Sequence, residues 1–115
     1  MRHVPGKTNW LCSELVTLRF DQVAENKAIP ANLEQVSPSS VILLSDIPVP
    51  CGCQLSILVQ GQELRGEVSD QSFDAVLGWY LTIELDEATQ WSPEWFTPEH
   101  LICVESLNQV AATAA

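Results

Sequence analysis

The fold is decided by residues 33–68, LEQVSPSSVILLSDIPVPCGCQLSILVQGQELRGEV, where the apolar residues of the chain are densest. Its run Val41 to Leu44 is apolar on both faces, which is typical of a strand in a closed or covered sheet. After a proline-rich loop, two alternating segments over 55–59 and 64–68 predict a hairpin that turns at Gly61. The stretch therefore predicts three consecutive strands.

Alternating patterns continue on both sides of this stretch. Upstream, the period of two predicts strands over 13–21 and 28–36. Pro30 requires the second of these strands to lie at an edge or to bulge, because proline has no amide to donate. Downstream, residues 79–85 give the clearest alternation in the chain, and residues 70–77 are predicted to form a connection.

Two signatures of a helix start follow the last clear strand. Ser92-Pro93-Glu94 and Thr97-Pro98-Glu99 each place a hydroxyl before a proline and an acid. They are only five residues apart, so the first helix has room for a single turn, and residues 101–104 predict a short last strand.

The number of short strands predicts an all-β fold, a small six-stranded antiparallel barrel with a short C-terminal helical turn. At 115 residues the chain has the length of one domain. We expect that domain to span residues 1–105, with 106–115 as a disordered tail.

The charge of the chain limits its partners. Fifteen acidic residues against five basic ones give a formal net charge of −10, and the basic residues are scattered. Nucleic acids require clustered Lys and Arg, and anionic membranes are repelled by this charge, so we expect neither partner. The N-terminus lacks the apolar core of a signal peptide. We therefore predict a cytoplasmic protein with reduced cysteines.

From about Val16 to Leu85, the order of strands and turns resembles the PilZ domain, a six-stranded barrel of bacterial signalling proteins. The landmarks are the strand pair before Ser37, the apolar strand after Ser40, the proline-rich loop that ends at Gly52, and the late strand Gly78-Trp-Tyr-Leu-Thr-Ile. The resemblance implies a barrel. In members with the full motifs, it also implies binding of cyclic di-GMP.

The two cyclic di-GMP motifs of that family are degenerate in this chain. R-x-x-x-R is absent, and [D/N]-x-S-x-x-G falls on residues 35–40, where Ser37 matches but Gln35 and Ser40 replace the usual residues. Losing two charge-assisted contacts costs about 3–6 kcal/mol, which weakens a micromolar ligand to roughly millimolar. The resemblance therefore implies a divergent domain for which cyclic di-GMP is a poor ligand.

Cysteines and histidines offer little further chemistry. Cys51 and Cys53, with His100 and Cys103, could supply four zinc ligands, but structural zinc sites and redox motifs usually separate their cysteines by at least two residues. A turn with two small side chains is the simpler interpretation. The chain has no glycine-rich phosphate loop and no nucleophile elbow. We expect no enzymatic activity and no cofactor.

Aromatic residues supply the candidates for partner binding. Trp91, Trp95 and Phe96 lie within six residues, where they form either a core plug or an exposed anchor. Tyr80 points away from the core by strand alternation.

The sequence predicts a regulatory or adaptor module that acts through an unknown protein partner. Three alternatives stay open: a cyclic di-GMP receptor with a degenerate site, a cysteine-based metal or redox sensor, and a homodimer paired through an edge strand.

Overall fold

The computed structural model describes residues 10–20 and 28–103 of the chain. Within these ranges there are seven strands and one 3₁₀ turn, so the predicted all-β class is confirmed. The strands are β1 (Trp10–Phe20), β2 (Ala28–Val36), β3 (Ser40–Ser45), β4 (Gln54–Val59), β5 (Gln62–Asp74), β6 (Gly78–Leu85) and β7 (Ile102–Cys103), and the 3₁₀ turn is Glu87–Thr89. The predicted tail, 106–115, lies outside the described residues.

Six of the strands close into an antiparallel barrel in the order β1-β2-β3-β6-β5-β4, and β4 returns to β1. The predicted six-stranded barrel is therefore confirmed. Alternate side chains point inward, and those of Leu18, Leu33, Leu43, Ile57 and Ile83 are completely buried. Closure leaves each strand with a neighbour on both sides, which removes the exposed edges of an open sheet.

The closing pair of strands is short. β1 and β4 pair only from Thr17↔Leu58 to Phe20↔Leu55, so the first half of β1 has no β4 partner. The C-terminal segment takes that place: β7 pairs with Trp10 and Leu11, and the Ser13 amide donates to the Glu99 carbonyl at 3.0 Å. The predicted last strand thus completes the barrel wall.

Pro30 lies at a local edge, as its missing amide requires. The β2–β3 ladder begins at Asn32↔Leu44, so Pro30 pairs only with Thr17 of β1. The side of β2 that faces β3 needs no donor at this position.

The predicted helix starts are wrong, because both segments form turns. At the first, the Trp95 amide donates to the Ser92 carbonyl and the Glu94 amide to the Ser92 hydroxyl. At the second, His100 has a φ of 58°, which interrupts any right-handed helix. The chain bends back here to bring Trp95 and Phe96 onto the end of the barrel, so tertiary packing overrides the local helix signals.

The predicted connection over 70–77 is also wrong for its first half. β5 continues to Asp74, where it pairs with Gly78 across a turn of residues 75–77. Pairing with β6 supplies backbone hydrogen bonds here, although the polar sequence of this part of β5 does not predict a strand.

The packing of Trp91 generates a stability prediction. Its side chain is only 2% exposed, and a change from Trp to Ala in a core costs about 3–5 kcal/mol. We expect Trp91→Ala to lower the free energy of unfolding by that amount in denaturant titrations. Leu11→Ala, on the outer face of β1, is the control and should cost below about 1 kcal/mol. Equal losses from both changes would contradict a Trp91 plug.

Candidate functional site

The barrel has two dissimilar ends. One, the capped end, carries the β2–β3 turn (37–39), the β4–β5 turn (60–61) and the C-terminal segment 90–103. The other, the hairpin end, carries the β3–β4 loop (46–53) and the β5–β6 turn (75–77). The candidate residues from the sequence are divided between these two ends.

Four aromatic rings close the capped end. Trp91 contacts Trp10 and Phe96 edge-on, with centroids 6.1 and 6.4 Å apart, and Trp95 meets Phe96 at 5.7 Å. The Trp91 indole also donates to the Phe96 carbonyl at 3.1 Å. Trp91 and Phe96 are buried, so these two partner-binding candidates are packed in the core rather than presented on the surface.

The other two aromatic candidates lie apart from each other. Trp95 is half-buried, and its indole donates to Gln62 Oε1 at 2.7 Å on the capped end. Tyr80 is half-buried on the outer face of β6, beside Leu44 of β3 and toward the hairpin end. The structure therefore does not bring the four predicted partner-binding residues together on one surface.

A buried carboxylate ties the C-terminal segment to the capped end. Glu14 points inward on β1, and its Oε1 accepts from the Gln60 side chain and from the Glu99 amide, each at 2.8 Å. Gln60 also donates to the Thr97 carbonyl. Sequence analysis missed Glu14, although it shares the parity of Val16 and Leu18 and so the inner face of β1.

The residues of the degenerate nucleotide motif bond mainly to one another. The Ser37 hydroxyl is 3.0 Å from the Ser40 carbonyl and 3.1 Å from the Ser40 hydroxyl, and it accepts from the Ser40 amide. Ser37 is buried, and Gln35 is half-buried in β2 opposite Ile42. These serines shape the β2–β3 turn.

The cysteines lie in different environments. Cys51 is exposed in the β3–β4 loop, Cys53 is half-buried, and Cys12 is buried in β1. Burial, with the negative charges of Glu14 and Glu34, raises the pKa of Cys12 to about 12. Among the described residues, no cluster of three or more His, Cys, Asp or Glu side chains could hold a metal ion.

This contrast predicts selective thiol chemistry. The thiolate is the nucleophile, so at neutral pH an alkylating agent should modify Cys51 and leave Cys12 unreacted in the folded protein. Peptide mapping by mass spectrometry after short exposure to iodoacetamide measures both sites. In denaturant, Cys12 should react as well. Rapid modification of Cys12 in the folded chain would contradict the packing of β1.

Large apolar side chains are exposed around the hairpin end. Phe73, Val76 and Leu77 of the β5–β6 hairpin are 61%, 89% and 52% exposed, and Leu15 on the outer face of β1 is 73% exposed. Phe73 packs on Trp79 with a centroid separation of 4.9 Å and an interplanar angle of 49°, so one side of its ring is in contact with the indole. Exposed apolar side chains that lie together are a feature of protein-binding surfaces.

A notch in the barrel wall connects this hairpin with β1. It forms where β2 and β3 separate beyond the Asn32↔Leu44 pair. Its open volume is about 260 Å³, and its lining includes Leu15, Pro30, Asn32, Leu44, Asp46 and Leu77. Next to the notch, Gly78 allows β6 to approach β3 closely, since a Cβ there would lie 2.8 Å from the Ser45 carbonyl oxygen and 3.9 Å from the Leu44 side chain.

Three acidic groups lie at the notch or next to residues that line it. Asp46 lines it, and Glu34 is hydrogen bonded to the side chain of Asn32. Asp74 accepts from the amides of Val76 and Leu77 at 2.8 and 2.9 Å, and these two bonds lower the pKa of its carboxyl. The β5–β6 turn is therefore held by an ionised carboxylate.

The lowered pKa of Asp74 predicts how the turn responds to acid. A carboxyl whose pKa falls on folding stabilises the native state at pH values above its pKa in the unfolded chain, which is near 3.9. That contribution is lost as the pH falls through the pKa of the folded protein. We expect the NMR signals of the Val76 and Leu77 amides to shift with a midpoint below 3.9. In Asp74→Asn, which keeps an acceptor oxygen but does not titrate, that transition should disappear. A midpoint at or above 3.9 would contradict the two hydrogen bonds.

The notch was not predicted from the sequence, although two features of the sequence indicate it. Leu15 is a large aliphatic residue among the outward-facing polar positions of β1, and Val76-Leu77 is an apolar pair inside a turn. Each departs from its local pattern. Only the closed barrel shows that Leu15, Leu44 and Leu77 meet.

No family model, curated protein or solved structure matches this chain. Within the described ranges, no helix has the length and apolar character needed to cross a membrane. Functional inference therefore rests on the geometry of the two ends of the barrel.

Proposed function

We propose that this chain is a small, non-enzymatic regulatory or adaptor module that binds another protein through its hairpin end. The observation that carries the proposal is the exposure of Phe73, Val76 and Leu77 on the β5–β6 hairpin, together with that of Leu15, which lines the notch with Leu77. The rigid barrel holds this surface in place at low entropic cost, and that favours binding over a flexible loop of the same composition.

The size of the apolar group indicates the strength of binding it can support. Fully burying an aliphatic or aromatic side chain contributes roughly 1.5–3 kcal/mol, so the three hairpin side chains Phe73, Val76 and Leu77 supply at most about 5–9 kcal/mol. Association costs of about 4–15 kcal/mol oppose this gain. Apolar burial alone is therefore enough only for transient binding, and a tighter complex needs charge pairing as well.

The proposed location is the cytoplasm. Its support is the exposed, unpaired thiol of Cys51, which suits a reducing compartment.

The other candidate functions have weaker support in the geometry. The hydroxyl groups of Ser37 and Ser40 are hydrogen bonded within their own turn, so they are poorly placed to donate to a phosphate group.

Site-specific cross-linking in the native host tests the proposal. A photoreactive phenylalanine at position 76, at the tip of the hairpin, should give discrete cross-linked products that mass spectrometry identifies. The same probe at Glu94, which is exposed on the capped end, is the matched control and should not give them.

The captured protein must then bind the purified chain directly. Val76→Ser should weaken that complex by about tenfold or more, because the burial of one aliphatic side chain is lost. The proposal fails if positions 76 and 94 give the same products, or if Val76→Ser leaves the affinity unchanged. A sole product with twice the mass of the chain would instead indicate self-pairing.

A further inference from the structure

We infer that the notch receives an aromatic or branched aliphatic side chain from a partner segment that carries Lys or Arg beside that anchor. The inference rests on the proposed protein-binding function and adds the chemical class of the partner. It depends on three observations: the shape of the notch, the apolar side chains in its lining and the charges at or next to it.

The shape of the notch suits a single large side chain. Its volume of about 260 Å³ exceeds the roughly 150 Å³ of an apolar cavity that accepts a benzene ring. β2 borders the notch on its unpaired side, where Pro30 has no amide to offer, and Asn32 lies at the first pair of the ladder. The walls therefore favour apolar contact with a side chain over backbone pairing with an added strand.

The lining includes four apolar side chains together with Asn32 and Asp46, on a backbone that the barrel fixes. Leu15, Pro30 and Leu44 come from three adjacent strands, and Leu77 comes from the turn that Asp74 holds. Because these groups are positioned before any partner arrives, burying a side chain between them orders few additional rotamers. A polar group placed against these four side chains would lose hydration, and none of the four offers it a hydrogen bond in return.

The charges around the notch favour a cationic partner. Asp46, Glu34 and Asp74 lie at or next to its lining, and the nearest described cation is Arg19, two residues along β1 from the Pro30 partner Thr17. The whole chain carries −10. Acidic groups at the rim of an apolar pocket attract a basic segment and raise its association rate.

The same charges disfavour a second copy of this chain. Two copies that met through the notch would place the acidic groups of one rim near those of the other, and each chain brings a net charge of −10. Like charges placed together oppose such pairing. A partner with complementary charge meets no such cost.

Peptide selection on the full-length chain tests this inference. Random twelve-residue peptides displayed on phage are selected against the protein, and the enriched sequences are synthesised. We expect them to share an aromatic or branched aliphatic residue with Lys or Arg within three positions. Their affinity should fall at least tenfold in Leu15→Ser. Leu11→Ser, which also removes an outer-face leucine of β1 but at the capped end, should leave it unchanged.

A second pair of variants tests the charge. Asp46→Lys should weaken binding of the synthetic peptide several-fold, and the loss should shrink at high salt. Glu94→Lys makes the same change in net charge on the capped end and should weaken binding far less. Thermal unfolding of each variant verifies that these exposed substitutions leave the fold intact.

The outcomes separate the two proposals. Peptides that need Leu15 but carry no basic residue would overturn the cationic partner and leave the binding function standing. If the selected peptides bind Leu15→Ser as tightly as the unchanged chain, or if no peptide is enriched, the notch is not the site. The cross-linking result decides the binding function independently. A dimer that Leu15→Ser dissociates would identify a second copy as the occupant.

Discussion

The structure depends on how the barrel closes between β1 and β4. Only four residue pairs join these strands, from Thr17↔Leu58 to Phe20↔Leu55, so the first half of β1 would face solvent on that side. Unpaired backbone groups at a barrel wall cost free energy and invite pairing with other chains. The C-terminal segment satisfies them through β7 and the Ser13–Glu99 hydrogen bond. The segment is thus part of the wall, although it comes last in the sequence.

The same closure explains the buried carboxylate at the capped end. Glu14 lies where β1 departs from β4, and its Oε1 accepts from both the β4–β5 turn and the C-terminal segment. Gln60, which donates one of these bonds, has a φ of 50°, a conformation that is unusual outside glycine. The two bonds of its side chain, to Glu14 and to Thr97, offset that strain. The β4–β5 turn and the C-terminal segment therefore hold each other in place.

Much of the fold is readable from the sequence because strand alternation is a local property. The period of two places Leu18, Ile57 and Ile83 on inner faces, and the turn at Gly61 is confirmed with a φ of 76°. The helix signals at Ser92 and Thr97 fail for a physical reason. Their segment is needed to seat Trp91 and Phe96 in the core, and burial of two large rings outweighs the capping energy of a short helix.

The candidate site is less readable, because it depends on where ladders end. The sequence shows that Pro30 cannot donate a backbone hydrogen bond. It does not show that the β2–β3 ladder ends at Leu44, and the separation of the two strands beyond this residue creates the notch. The clustering of Trp91, Trp95 and Phe96 predicts either a core plug or an exposed anchor for a partner. Clustering, however, does not distinguish a plug from an anchor. Aromatic rings close the capped end, whereas Phe73, Val76 and Leu77 are exposed at the hairpin end.

This asymmetry between the ends is itself an argument about function. At the capped end Trp91 and Trp95 have indole hydrogen bonds and the buried Glu14 accepts two, so these polar groups are satisfied there. At the hairpin end, Val76 and Leu77 extend from a turn that Asp74 holds in one conformation. Exposed apolar residues in a fixed turn add nothing to folding stability and increase the risk of aggregation. A fixed turn that exposes them next to a preformed notch is the arrangement that the proposed binding of a partner requires.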